Sequence, residues 1–301
     1  MGTLVTYPRE KHADGKPIER WEIKEELDRE IFARRLLENV RNWIDSDEDV
    51  INSMGMPNPN PPPQLTDEEC KTKADAGEGT YGHSTIIEPA DLDLYSGYLY
   101  PPLRMPEKPQ VMVSYWDMNR EPVNFMEGRI MIKALCPDGI ESWLTINIPV
   151  PNFYTALEGN AWGWPKYVAD EMTVTKEHSE VIYEGKPSLL LDFTPGGVDD
   201  TTMAQLKEQG TEGGNTVSFH MATGTTSHMT LLRQGTGPKS GRGGYVAEWE
   251  AGMIRTWGRP EDKWSGLLPE DCVTPGFWQR TVARGGPGGG AMYKVKNLQV
   301  N

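Results

Sequence analysis

The sequence predicts a mainly β (α+β) fold, with antiparallel strands closed into a barrel or sandwich behind a helical N-terminal extension. Three observations carry this. From about residue 84, short β-branched or aromatic runs recur between Gly, Pro, Asn and Asp. Long helical stretches do not alternate with them, which argues against a parallel βαβ sheet. The 32 glycines and 24 prolines among 301 residues match the turn density of such a fold.

The extension covers residues 1–75. Within it, 21–44 reads WEIKEELDREIFARRLLENVRNWI, with Ile23, Leu27, Ile31, Leu37, Val40 and Ile44 near one helical face and charges opposite. This predicts an amphipathic helix that packs on the body or on a second subunit. The run Pro57–Pro63 cannot be helix or central strand and is expected to be an extended connector. Thr66-Asp67-Glu68-Glu69 has the capping-box pattern of a short helix. The β domain follows over 76–301. Its candidate strands are STIIEPADLDL, PQVMVSYWDM, GRIMIKALCP, SWLTINIPV, EMTVTKEHSEVIY, PSLLLDFTP, NTVSFHMA, SHMTLLRQ and GMIRTWG, with TTMAQLKEQG as one short helix. TGPKSGRGG and ARGGPGGG lack the GxxxxGK[ST] spacing and are expected to be ordinary loops.

Composition narrows the function. A net charge of −14 repels phosphate backbones and anionic lipid, so neither nucleic acid nor membrane is an expected partner. Cys70, Cys136 and Cys272 show no CxxC spacing, which favours a reducing compartment over a disulfide framework. MGTLVTYPREKHADGKP contains no apolar run, and no stretch reaches the roughly 20 apolar residues of a membrane span. A cytoplasmic protein is expected. Among the five histidines, His220 and His228 could face each other across strands, but no HxH or HExxH occurs, and no metal site is expected. No GxSxG elbow is present.

The stretch EGNAWGWPKYVADEMTV (158–174) carries the chemistry. Lys166 follows Trp162, Gly163, Trp164 and Pro165 and precedes Tyr167. A free lysine is almost wholly protonated at neutral pH, but desolvation or a neighbouring cation favours the neutral amine. A neutral amine attacks a ketone and forms an imine, whose protonated form draws electrons from the adjacent carbon. A lysine in WPKY can equally be a surface residue.

The pattern Gly159-Asn160-Ala161-Trp162-Gly163-Trp164-Pro165-Lys166 resembles the acetoacetate decarboxylase superfamily, in which this lysine is the Schiff-base residue. The family's catalytic glutamate lies about forty residues earlier, ahead of a strand; Glu127, in FMEGRIMIK, lies 39 before Lys166. EPADLDLYSGYLYPPL is similar to the family's early segment. The resemblance spans roughly 78–175 and implies an antiparallel double-barrel or cone. It also implies a Schiff-base lyase acting on a ketone or keto acid, by decarboxylation or by aldol and dehydration chemistry. Lys166 would be the nucleophile and Glu127 the proton carrier. The substrate is then a small carbonyl compound and no cofactor is needed, because the iminium is the electron sink. A homo-oligomer is expected.

The chain departs from the family at three places. Tyr167 stands where decarboxylases have a second lysine, no arginine is close to Tyr81, and Val111 and Met112 stand where a second glutamate is expected. These departures point away from acetoacetate itself. Trp162, Trp164, Tyr167, Tyr81, Met112 and Tyr115 are candidate pocket residues, and Arg129, two residues after Glu127 on a strand and so on the same face, is a candidate partner for a substrate carboxylate or a member of an ordinary ion pair. The alternatives are a non-catalytic small-molecule-binding barrel and a same-fold enzyme that uses the pocket without an imine, for cyclisation or isomerisation.

Overall fold

The structure is a computed structural model that describes residues 26–46, 50–52, 65–119, 125–212, 216–221, 229–234, 244–283 and 291–295. Residues 21–25, the connector 57–63, His228 and the glycine-rich segments 236–243 and 284–290 lie outside the described residues.

In chain order the elements are α1 (Glu26–Ile44), β1 (Val50–Asn52), α2 (Asp67–Asp75), β2 (Gly79–Ile87), α3 (Leu92–Gly97), β3 (Val111–Asn119), β4 (Phe125–Leu135) and β5 (Glu141–Val150). Then come α4 (Phe153–Ala161), β6 (Lys166–Val168), β7 (Glu171–Val174), β8 (His178–Tyr183), β9 (Lys186–Pro195) and α5 (Asp200–Glu212). The chain continues with β10 (Thr216–Met221), β11 (Met229–Gln234), β12 (Gly244–Gly258), a 3-10 turn (Lys263–Leu267), β13 (Val273–Ala283) and β14 (Ala291–Lys294).

Among the described residues these strands form one continuous sheet in the order β1, β14, β11, β10, β5, β4, β3, β2, β13, β12, β9, β8, β7, with β6 attached beside β5. Pairing is antiparallel throughout except for β5 with β10 and β5 with β6. The sheet curls. Its β7 edge returns to pack on β3 and β4, and His83 of β2 reaches the Lys176 carbonyl and the Ser179 hydroxyl across the interior. A mainly antiparallel β fold is therefore what the chain adopts.

Alternation divides the sheet into two faces. One holds the main apolar core: Val111, Val113 and Tyr115 of β3, Ile130 and Ile132 of β4, Trp278 of β13 and Ile254 of β12. The other carries Trp116 and Ser114 of β3 opposite Glu127 and Arg129 of β4. Hence β3 and β4 turn core residues to one side and the Glu127 row to the other.

The short helices follow local rules. Thr66 and Glu69 close the expected capping box on α2. TTMAQLKEQG falls within α5. One helix replaces part of an expected strand, and another forms where no element was expected. The ADLDL portion of the first candidate strand becomes α3, because the Asp91 carboxylate accepts from the Leu94 amide at 2.8 Å and caps a turn. Residues 153–161 become α4, capped by Asn152, whose Oδ1 accepts from the Thr155 amide at 2.9 Å. EMTVTKEHSEVIY, taken as one strand, is the hairpin β7–β8, since Thr175 Oγ1 both accepts from the His178 amide and donates to its carbonyl.

The described parts of the first 75 residues are built into the body. β1 pairs with β14. α2 packs on β12 and β13 through Cys70, Ala74 and Val282. α1 lies on α4, burying Leu36, Val40 and Trp43 against Ala161, Trp162 and Leu232. The docked stripe is thus centred on Leu36, Val40 and Trp43, with Leu37 and Ile44 at its margin; the side chains of Ile23, Leu27 and Ile31 lie outside the described residues. Among the described residues, no helix is long and apolar enough to cross a membrane.

Candidate active site

Lys166 opens β6, a short strand paired in parallel with β5 so that Lys166 stands opposite Ile148. The turn that delivers it is fixed at its backbone. The Trp162 and Trp164 amides both donate to the Gly159 carbonyl, at 3.0 and 3.1 Å, and the Lys166 amide donates to the Trp164 carbonyl at 2.8 Å. Gly163 adopts φ +79°, a left-handed conformation that suits glycine at a helix end. Ser218 of β10 clamps the turn from the other side, donating to the Trp162 carbonyl at 2.6 Å.

This turn aims the lysine at β4. The Lys166 Nζ donates to Glu127 Oε2 at 3.1 Å. Only 6% of the Lys166 side chain and 2% of Glu127 are exposed, so the pair is desolvated and behaves as a buried ion pair. The Arg129 guanidinium, on the same strand face two residues on, donates to the other oxygen, Oε1. One carboxylate thus bridges two cations. The Trp164 ring covers the amine, its centroid 5.7 Å from Nζ.

The remaining pocket candidates separate. Tyr115 and Tyr167 point to the opposite, core face of the sheet. Tyr115 packs where Gly128 lacks a side chain, and burial pushes its phenol well above the usual tyrosine range. Tyr167 lies edge-on to Tyr183, centroids 4.8 Å apart, and burial also raises its phenol. Tyr81 is on that face too. Its hydroxyl donates to Asp117 Oδ2 at 2.6 Å, and burial together with Asp117 pushes it up to about 12. Trp162 packs edge-on to Trp43 of α1, centroids 6.4 Å apart. Met112 does share the Glu127 face, two cross-strand pairs beyond Trp116. Trp164, Arg129 and Met112 are therefore the candidates that lie on the lysine's side of the sheet.

Two contributors escaped the sequence reading. One is Trp43, reached only through the α1–α4 packing. The other is Ser114, on the Glu127 face opposite Arg129; alternation from Trp116 points to it once the β3–β4 register is known. Among the described residues, no group of three or more His, Cys, Asp or Glu side chains is placed to hold a metal ion.

No protein-family model matches the chain, and no curated protein matches it. Solved structures do. A solved acetoacetate decarboxylase superposes with a TM-score of 0.51 at 12% identity, over 73% of this chain and 89% of that one. The acetoacetate decarboxylase of Legionella pneumophila subsp. pneumophila str. Philadelphia 1 superposes with a TM-score of 0.51 at 14% identity, over 76% and 91%. The chain has the fold of acetoacetate decarboxylase, with a buried lysine–glutamate pair set into it.

Proposed function

We propose that the protein is a Schiff-base lyase acting on a ketone or keto acid, with Lys166 as nucleophile and Glu127 as proton carrier. The carrying observation is the desolvated contact of 3.1 Å between Lys166 Nζ and Glu127 Oε2. Burial disfavours the separated charges. Loss of one ammonium proton to solvent leaves a neutral amine beside a carboxylate that Arg129 still partners. Arg129, on the far oxygen of Glu127, draws off part of the negative charge that would otherwise hold the ammonium.

The neutral amine attacks the substrate carbonyl, and the carbinolamine loses water to give an iminium. Electrons of a breaking C–C bond, or of a C–H bond whose proton passes to the Glu127 carboxylate, move to the iminium nitrogen and give an enamine. Glu127 passes a proton, taken from that C–H bond or from solvent, to the enamine carbon, and water releases the product ketone and the free lysine. Decarboxylation and retro-aldol cleavage share this iminium–enamine sequence; decarboxylation releases carbon dioxide from a carboxylate, whereas retro-aldol cleavage also needs a base to take the hydroxyl proton as the aldehyde leaves. Trp164 excludes water from the amine on one side.

The test is exchange of the α-hydrogens of pyruvate or acetone in D2O. Exchange needs both the enamine and a proton carrier. The protein should catalyse it, Lys166→Ala should abolish it, and Glu127→Gln should slow it by about 100-fold, within the usual contribution of acid–base catalysis. Turnover or exchange that survives Lys166→Ala would leave a pocket used without an imine. A bound ligand with no exchange would leave a binding barrel.

A further inference from the structure

The sheet face that carries Glu127 differs in chemistry from the core face behind it. One cross-strand row runs Phe277, Ser84, Ser114, Arg129, and the next runs Gln279, Gly82, Trp116, Glu127. Neighbours within such a row stand with Cβ atoms about 4.5–5.5 Å apart, and diagonal neighbours about 7–8 Å apart. Ser114 is thus beside Arg129 and diagonal to Glu127. Ser84, Ser114 and Gln279 are buried, Ser114 at 1% exposure.

The Ser114 hydroxyl is buried and has no hydrogen-bond partner among the described residues. A hydroxyl held that way costs about 1–3 kcal/mol, a loss that alanine would remove. A group kept at a loss, on the face that holds the lysine–glutamate pair, points to a partner supplied by a ligand. The row favours a neutral partner. Arg129 is engaged with Glu127, the other groups beside Ser114 are dipoles, and a second anion would meet the Glu127 charge.

We propose that Ser114 is a specificity-determining residue that binds a neutral oxygen function of the substrate, a hydroxyl, on the part of the molecule beyond the carbon captured by Lys166. The substrate class is then a hydroxylated ketone or keto acid. The inference rests on the imine reading of Lys166.

The experiment compares 2-oxopentanoate with its 4-hydroxy and 5-hydroxy derivatives as borohydride-trapped adducts, reading the concentration that half-saturates trapping. At least one hydroxylated compound should half-saturate at a concentration about tenfold lower, the usual worth of one hydrogen bond. In Ser114→Ala that ratio should fall to near one while the thermal midpoint rises, because an unpartnered buried hydroxyl is gone. Equal half-saturation of all three by the unaltered protein overturns the Ser114 role and leaves the imine intact. So does a ratio unchanged in Ser114→Ala, or a lowered midpoint, the sign expected of a serine that serves only the fold. No adduct with any of the three overturns the imine reading and this inference with it.

Discussion

The Lys166 side chain lies directly across Gly159. A Cβ at that helical position would stand 2.2 Å from Lys166 Cδ and 2.5 Å from Cε. The glycine and the lysine seven residues later are one device: the helix loses a side chain so that the alkyl stem can run over its backbone toward Glu127.

Gly159→Ala therefore separates folding from function. In an exposed helix interior this change stabilises by roughly 1 kcal/mol through propensity. Here the methyl displaces a flexible stem, not backbone, so α4 should still form. Adduct formation at Lys166 should fall by at least an order of magnitude while circular dichroism is unchanged. An unimpaired adduct would show that the lysine does not need this path.

Arg129 sets the charge shared by the pair. Replacing it with Met leaves Glu127 to Lys166 alone and removes a nearby positive charge, and both effects favour the ammonium. The pH at which trapping reaches half its maximum should move upward by about one unit, at the low end of what a neighbouring charge does. A profile that stays in place would mean that Arg129 acts only on the fold.

α1 supports the turn that carries the lysine. Trp43 meets Trp162 edge-on, and Trp164 touches both the α1 cluster and the Lys166 amine. Trp43→Ala should lower stability by about 3–5 kcal/mol, as large aromatic truncations do in buried sites, and slow trapping at Lys166. Trp43→Phe should restore most of both. Urea unfolding and trapping rates check the two effects separately.

His83 gives a pH signature independent of catalysis. Its Nε2 faces the Lys176 carbonyl at 2.6 Å and must carry the hydrogen, so Nδ1 accepts from Ser179 Oγ at 3.1 Å. Burial pushes the imidazole down to about 4, against a pull upward from the Lys176 carbonyl and Glu177. Between there and the unfolded value of about 6.5, the unfolded chain binds the extra proton. Stability is therefore full above about pH 6.5 and is lost as pH falls toward 4, by an amount on the order of 3 kcal/mol. Denaturant midpoints from pH 7 to pH 4 should show this slope. His83→Gln should flatten it.

The parts legible in the sequence are those that depend on local chemistry. Alternating β-branched runs announced most of the central strands, and Thr66 to Glu69 announced a capped helix. Lys166 and Glu127 were singled out together by the resemblance to the acetoacetate decarboxylase superfamily, whose pattern they match 39 residues apart, and the structure places them in contact. What was not legible depends on register and on long-range packing. Tyr115 and Tyr167 are adjacent in sequence to residues of the lysine's face, but alternation turns both to the core. Trp162 sits four residues before Lys166, yet its ring is claimed by α1. The weight of Gly159 appears only when the stem of Lys166 is seen crossing it, and Ser114 emerges only from the pairing of β3 with β4.

The most direct measurement is reductive trapping. The protein is incubated with pyruvate, acetoacetate or a panel of keto acids in the presence of borohydride, and the peptides are mapped by mass. A single adduct on the peptide containing Lys166, absent in Lys166→Ala and in protein without a carbonyl compound, is the predicted result. No adduct across the panel, or an adduct on other lysines that persists in Lys166→Ala, would contradict it.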